Sequence, residues 1–303
     1  MTDEGVLDPW VAKWFADNPG MAEPFADLSP EILPLARGPV GAPPTREIAK
    51  VTDDVVTGVP VRIYEPEHSP TGLVVYLHGG GFCIGSIGLM DNVARELAHC
   101  SGAAVVSVEY RLAPEHPFPA GLDDCEAVTR WALANTARFG VPANHVAIAG
   151  ESAGGNLATA VALRLRGDTD PPLAGQVLIY PVTDSASATH PSRDEFDGIV
   201  ITTKPGNVFR QAYLGGQDLD RDPFVSPLQA ESLAGLPPAL VVLGGCDPLR
   251  DEGRSYARRL QHEGVATEEL CCAGQPHGFV NFGFPAAADA FARIGPFLRS
   301  VFE

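Results

Sequence analysis

From Leu73 onward the chain alternates between two hydrophobic periods. Short runs that are apolar at nearly every position, 73–77 (LVVYL), 103–108 (AAVVSV), 146–149 (VAIA), 176–180 (QVLIY) and 239–243 (ALVVL), predict strands buried on both faces. Residues 267–270 predict a more exposed last strand. Between these runs, 92–100, 122–139, 153–165, 251–263 and 286–301 place apolar residues at three- and four-residue steps, the stripe of an amphipathic helix. Strand and helix alternating in this way predict the α/β class, a mostly parallel sheet with helices on both faces.

Two stretches break the alternation. Residues 1–45 carry helical pieces interrupted by proline, and 183–224 is polar, turn-rich and long for a connection inside a compact domain. Loops of that length are usually functional. The expectation is a catalytic domain over 46–303, covered by a helical cap from 1–45 with a contribution from 183–224.

Composition narrows the partners. With 303 residues, 45% hydrophobic against 19% charged, the chain can bury one large core. Its net charge of -17, from 21 Lys+Arg against 38 Asp+Glu, repels phosphate backbones and anionic headgroups. Neither a nucleic-acid nor a membrane partner is expected, and the acidity serves solubility. The opening MTDEGVLDPWVAKW places acids where a secretory signal needs bases. No run approaches the ~18 apolar residues of a membrane span, so a cytoplasmic location is expected. Cys83, Cys100, Cys125, Cys246, Cys271 and Cys272 form no CxxC pair, and a strand would turn Cys271 and Cys272 to opposite faces. Buried reduced thiols are expected, with no metal site and no cofactor.

The candidate chemistry sits at the ends of the predicted strands. Gly150-Glu151-Ser152-Ala153-Gly154-Gly155 joins the run 146–149 to the helical segment 153–165, the strand–turn–helix context of a nucleophile elbow. Glycines leave room for a sharp turn that lifts the Ser152 hydroxyl clear of the sheet. His78-Gly79-Gly80-Gly81-Phe82 follows the run 73–77, and its glycines let backbone N–H groups face a developing oxyanion. The expected donors are Gly79, Gly80 and Ala153, each worth roughly 3 kcal/mol in the transition state. A phosphate-binding loop is the competing reading, but neither of its glycine fingerprints is present.

Serine needs a base, and the base needs a carboxylate to orient it. Asp247 stands in Gly244-Gly245-Cys246-Asp247, directly after the run 239–243, where parallel sheets collect their functional groups. Asp251 is the competitor, one turn further on at a helix start. A histidine after the acid is either His262, beside Glu263 in a helical segment, or His277, in the turn Gly274-Gln275-Pro276-His277-Gly278-Phe279. His277 is the expected base, and His78 and His116 are expected to serve structure.

Taken together, His78-Gly79-Gly80-Gly81-Phe82, Tyr110-Arg111-Leu112-Ala113-Pro114-Glu115-His116-Pro117-Phe118-Pro119-Ala120, Gly150-Glu151-Ser152-Ala153-Gly154-Gly155-Asn156-Leu157-Ala158, Asp247-Pro248-Leu249-Arg250-Asp251-Glu252 and His277-Gly278-Phe279 resemble the hormone-sensitive-lipase family of α/β-hydrolases. The resemblance spans about 60–300 in the family's order. It implies an α/β-hydrolase fold with an eight-stranded sheet and an N-terminal cap, a cofactor-free esterase, and in many relatives a homodimer through the last strand and helix. Relatives commonly carry Asp or Thr before the nucleophile. Here that residue is Glu151, a departure that bears on substrate preference and pH behaviour.

The expected reaction is hydrolysis of short- to medium-chain acyl esters through an acyl-enzyme on Ser152. Phe82, Ile199, Ile201, Phe209, Phe279 and Val280 are the expected lining of the substrate pocket. An amidase, deacetylase or arylformamidase would use the same three catalytic side chains. A non-catalytic receptor on this fold, as in the plant gibberellin receptors that lack the histidine, is the alternative from another class. In this chain serine, acid and histidine are all present.

Overall fold

The computed structural model describes residues 4–21, 29, 33–37, 42–186, 189–203 and 208–303. Eight strands form one sheet: β1 (Lys50–Val56), β2 (Val59–Glu65), β3 (Leu73–Leu77), β4 (Ala104–Val108), β5 (Val146–Glu151), β6 (Gly175–Ile179), β7 (Ala239–Gly244) and β8 (Thr267–Cys272). Their order is β1-β2-β4-β3-β5-β6-β7-β8. From β4 to β8 all neighbours are parallel, while β1–β2 and β2–β4 pair antiparallel.

The five apolar runs and the last, half-exposed strand fall where the hydrophobic pattern puts them. The β1–β2 hairpin was not marked by that pattern. Its strands, KVTDDVV and VPVRIYE, mix charged and apolar residues, and Val55 is exposed. Thr57 and Gly58 both have positive φ (53° and 87°), the turn that suits the twist of a two-residue hairpin.

The helices are α1 (Pro9–Asp17), α2 (Asp91–Ser101), α3 (Ala120–Ala134), α4 (Ala153–Leu165), α5 (Ser192–Glu195), α6 (Val208–Leu214), α7 (Arg250–His262) and α8 (Ala286–Val301). The predicted helix 122–139 is shorter than expected. It ends at Ala134, and Asn135 donates its side-chain amide to Trp131 O before a 3-10 turn over Thr136–Phe139.

Alternation along the strands divides the interior into two cores. Leu73, Val75 and Leu77 of β3 pack with Leu122, Cys125 and Val128 of α3, Leu157 and Val161 of α4, and Tyr256 and Leu260 of α7. Val74 and Tyr76 turn to the other face and meet Val93 and Leu97 of α2, Phe291, Ile294 and Leu298 of α8, and Val11 of α1. Each such side chain contributes on the order of 1.5–3 kcal/mol when fully buried. Cys271 packs on the first core and Cys272 on the second, the opposite faces expected of neighbours on a strand. Burial raises these thiols to about 11 and about 12, so neither is a reactive thiolate near neutral pH. Among the described residues no helix is long and apolar enough to cross a membrane.

Candidate active site

The middle of the sheet sets the position of Ser152. β5 lies between β3 and β6, and where it ends the chain reverses into α4 with Ser152 at φ 57°, ψ −120°. A non-glycine residue held there costs of order 1–3 kcal/mol and persists only where its surroundings fix it. Ser152 N donates to Ile179 O (2.9 Å), and Ser152 O accepts from Val182 N (3.2 Å) and Asn156 N (3.1 Å). Gly154 permits the turn. A β-carbon there would stand 2.0 Å from Leu77 O, so only glycine lets the first turn of α4 sit on the end of β3.

The loops after β7 and β8 bring the other two side chains to this point. His277 Nε2 lies 2.9 Å from Ser152 Oγ, and His277 Nδ1 lies 2.9 Å from Asp247 Oδ2. Asp247 is fully buried and its other oxygen accepts from Leu249 N at 2.8 Å. Burial opposes a charged imidazole most strongly, but the charge and hydrogen bond of Asp247, with the charges of Glu151 and Glu252, outweigh it. The His277 pKa is therefore raised above its ordinary 6.5. Neither competitor reaches the serine. Asp251 accepts from Ser192 N (2.9 Å) and Arg250 Nε (2.8 Å), and His262 is exposed at the end of α7.

The glycine loop after β3 differs from expectation in one respect. Gly79 has a single N–H, and it donates to Glu151 Oε1. Gly79 is thus withdrawn from the expected set of oxyanion donors, because a buried amide already bound to a carboxyl has nothing left to offer. The amides of Gly80, Gly81 and Ala153 have no acceptor among the described residues, and Gly80 and Gly81 are partly exposed. His78 shapes the loop as expected: Nδ1 meets Gly79 O at 2.8 Å, its ring stacks on Tyr110 at 4.3 Å, and burial lowers its pKa.

The expected pocket lining divides into two groups. Phe82 stacks on Tyr213 of α6 with ring centroids 3.7 Å apart, and the Phe209 ring lies over Gly81. Ile199 and Ile201 are half-buried in the turn closed by Gly198 N to Ile201 O (3.0 Å). Phe279 and Val280 do not belong with them. Phe279 is fully buried against Tyr180 (5.6 Å), and both are built into the core beneath α8, so closeness to His277 in the chain does not carry them into the cleft.

Segments outside the sheet brace these loops. Glu4 O accepts from Gly274 N (3.1 Å), Asp8 N donates to Gly274 O (3.0 Å), and Trp10 and Trp14 of α1 meet Phe284 edge-on at 5.3 and 5.0 Å. Arg37 donates to Cys83 O and Ala113 O at 2.7 Å each and pairs with Glu115, tying the glycine loop to the loop after β4. The pattern of the sequence did not single out Arg37. Asn156, which belongs to the motif after the nucleophile, donates its buried amide to Val182 O (3.0 Å) and Val225 O (2.9 Å).

Comparison with known proteins agrees with this fold. Residues 74–281 match a family described as having the α/β-hydrolase fold. The chain is 39% identical to carboxylesterase NlhH of Mycobacterium tuberculosis over 87% of its length and 82% of the relative's. It is 37% identical to an ethyl acetate hydrolase of Pseudomonas putida over 74% of its length and 72% of the relative's. The solved hyperthermophilic esterase of Pyrobaculum calidifontis superposes with a TM-score of 0.83 at 35% identity, covering 97% of this chain and 98% of that one. On this evidence of sequence, fold and strand-end geometry together, the chain belongs to the α/β-hydrolase family, in its hormone-sensitive-lipase-like branch of carboxylic ester hydrolases.

Proposed function

We propose that the protein hydrolyses small carboxylic esters by two acyl transfers, with Ser152 as nucleophile, His277 as general base and Asp247 as its orienting carboxylate. The observation that carries the reading is the unbroken line Ser152 Oγ–His277 Nε2 (2.9 Å) and His277 Nδ1–Asp247 Oδ2 (2.9 Å). In the first transfer His277 takes the hydroxyl proton as Oγ bonds to the acyl carbon. The proton then passes to the departing alkoxide, which leaves as the alcohol. In the second, His277 takes a proton from the water that adds to the acyl carbon and returns it to Ser152 Oγ as the Oγ–acyl bond breaks and the acid leaves.

The carbonyl oxygen carries negative charge in both steps. The Gly80, Gly81 and Ala153 amides, without an acceptor of their own among the described residues, are the donors assigned to it. The described parts of 1–45 are assigned the role of cap, with a contribution from the described parts of 183–224. The Phe82–Tyr213 stack and Phe209 over Gly81 make an apolar surround for the glycine loop, and short to medium acyl chains are the substrates assigned to it. The ethyl acetate hydrolase among the relatives acts, by its name, on a short-chain ester and supports that preference.

The test is a p-nitrophenyl ester series from acetate to palmitate, run with Ser152→Ala alongside. Activity highest at the short end and abolished in the variant is expected. A wild type inert on every chain length, or one unaffected by Ser152→Ala, overturns the reading.

A further inference from the structure

Glu151, the residue before the nucleophile, is fully buried at the end of β5. An ionised carboxylate in such a place loses several kcal/mol of hydration unless its neighbours replace it. Its Oε1 accepts the Gly79 amide. The fit is close: a β-carbon on Gly79 would stand 2.2 Å from Glu151 Oε2. Oε2 itself, and the Tyr76 hydroxyl, are buried with no hydrogen-bond partner among the described residues.

The groups that act on this carboxyl come from every element around it. Tyr76 lies on β3, Tyr110 after β4, Tyr180 after β6, and His277 and Asn281 on the loop after β8. Of these only His277 can become a cation. Tyr180 links the same cluster to the histidine loop, since its hydroxyl donates to Asn281 Oδ1 at 3.2 Å and its ring lies 4.7 Å from the imidazole.

We propose that Glu151 is a positioning residue that ties down the Gly79 amide, so that the next two amides, Gly80 and Gly81, are held towards the oxyanion. In the same position its negative charge steadies the protonated form of His277. The inference rests on the Ser152 reading above. A planar peptide has one orientation, so fixing the Gly79 N–H limits how the chain can enter the Gly79–Gly80 peptide. Burial pushes the Glu151 carboxyl up to about 7, against the pull of the Gly79 amide, Asn281, His277 and Tyr76. Its charge therefore changes in the range where the base must lose its own proton.

The experiment measures kcat and KM for p-nitrophenyl acetate from pH 5 to 9 in wild type, Glu151→Ala and Glu151→Gln. Rates are normalised to active sites counted by stoichiometric reaction of Ser152 with a p-nitrophenyl phosphonate. In Glu151→Ala, kcat should fall about 10- to 100-fold with KM changed by less than about threefold, as when an oxyanion donor is misplaced. Glu151→Gln keeps an oxygen for Gly79 and should recover to within about fivefold of wild type, with the acid limb of kcat/KM moved to lower pH. A Glu151→Ala enzyme within twofold of wild type per active site, a Glu151→Gln enzyme as slow as Glu151→Ala, or an unmoved acid limb each overturns the proposal. If Glu151→Ala does not fold, the acid limb and kcat of Glu151→Gln decide alone. A wild type that hydrolyses no ester sinks the underlying reading instead, which keeps the two failures apart.

Discussion

The carboxyl end of the sheet and the segments packed over it are built on different principles. Ser152, Asp247 and His277 are each at most 9% exposed, and they hang from strands or strand-end loops fixed by backbone hydrogen bonds. The outer segments hold on largely through side chains, beside a few backbone bonds such as those of Glu4 and Asp8 to Gly274. α5 is tied to α7 by Arg193 with Glu252, by Ser192 with Asp251 and by Arg250 with Glu195, α6 leans on Phe82 through Tyr213, and Arg37 grips two loop carbonyls. Ladder hydrogen bonds give a fixed frame for these three side chains, whereas side-chain anchors can be changed singly without moving that frame. The contrast predicts that kcat answers to the first region, and that KM and stability answer to the second.

The largest effect should come from the sheet end. Ser152→Ala and His277→Ala should each lower kcat by about 10⁵- to 10⁶-fold, with thermal unfolding little changed. Residual activity near that of wild type in either would end the comparison at once. Asp247→Asn comes next, with a loss of about 10⁴-fold, because an amide beside Nδ1 favours the wrong tautomer while keeping the acceptor for Leu249 N.

In the outer region, Arg193→Ala leaves Glu252 buried without its cation. Burial already raises that carboxyl above its ordinary range, with Arg193 opposing the rise. Chemical denaturation should show a loss of about 3 kcal/mol, with KM raised and kcat within a few-fold of wild type. A collapse of kcat without loss of stability would erase the distinction between the two regions.

A smaller effect concerns pH. In the unfolded chain the Glu151 carboxyl loses its proton near 4.5, while in the folded protein it keeps it to about 7. Between those values the native state binds more protons, so stability falls as pH rises through this window. His277, raised above 6.5, adds a further fall that starts there and ends as pH passes its folded value. Unfolding free energies measured from pH 4 to 8 should show the decline, and Glu151→Gln should remove its lower part. The smallest effect belongs to the exposed pair Lys13–Asp17 at 2.7 Å on α1, where Lys13→Ala should shift stability by less than about 0.5 kcal/mol.

The hydrophobic period exposed the parallel part of the sheet because strands buried on both faces leave little choice of residue. It missed β1 and β2, which lie at a sheet edge and carry water-facing residues such as Val55 and Asp53 that blur the alternation. That Ser152, Asp247 and His277 stand at one place was legible because each follows a strand of the parallel sheet. The burial of Phe279 and Val280 beneath α8 could not be read locally, because adjacency to His277 says nothing of the direction a turn gives the next two side chains. The choice among three neighbouring glycines could not be read locally, since it depends on a carboxyl 72 residues away.

By itself the sequence determined which residue types stand at the strand ends, and hence the fold class and the kinship with carboxylic ester hydrolases. Period and residue chemistry are local properties, written wherever burial or reactivity restricts the choice. Only the tertiary structure decided that Ser152, His277 and Asp247 meet at 2.9 Å, and that Glu151 claims the Gly79 amide and leaves Gly80 and Gly81 uncommitted. Those outcomes depend on parallel pairing of β3, β5 and β6, which brings loops from distant parts of the chain to one edge. Contact across such separations is fixed by packing and register and has no counterpart in any local pattern.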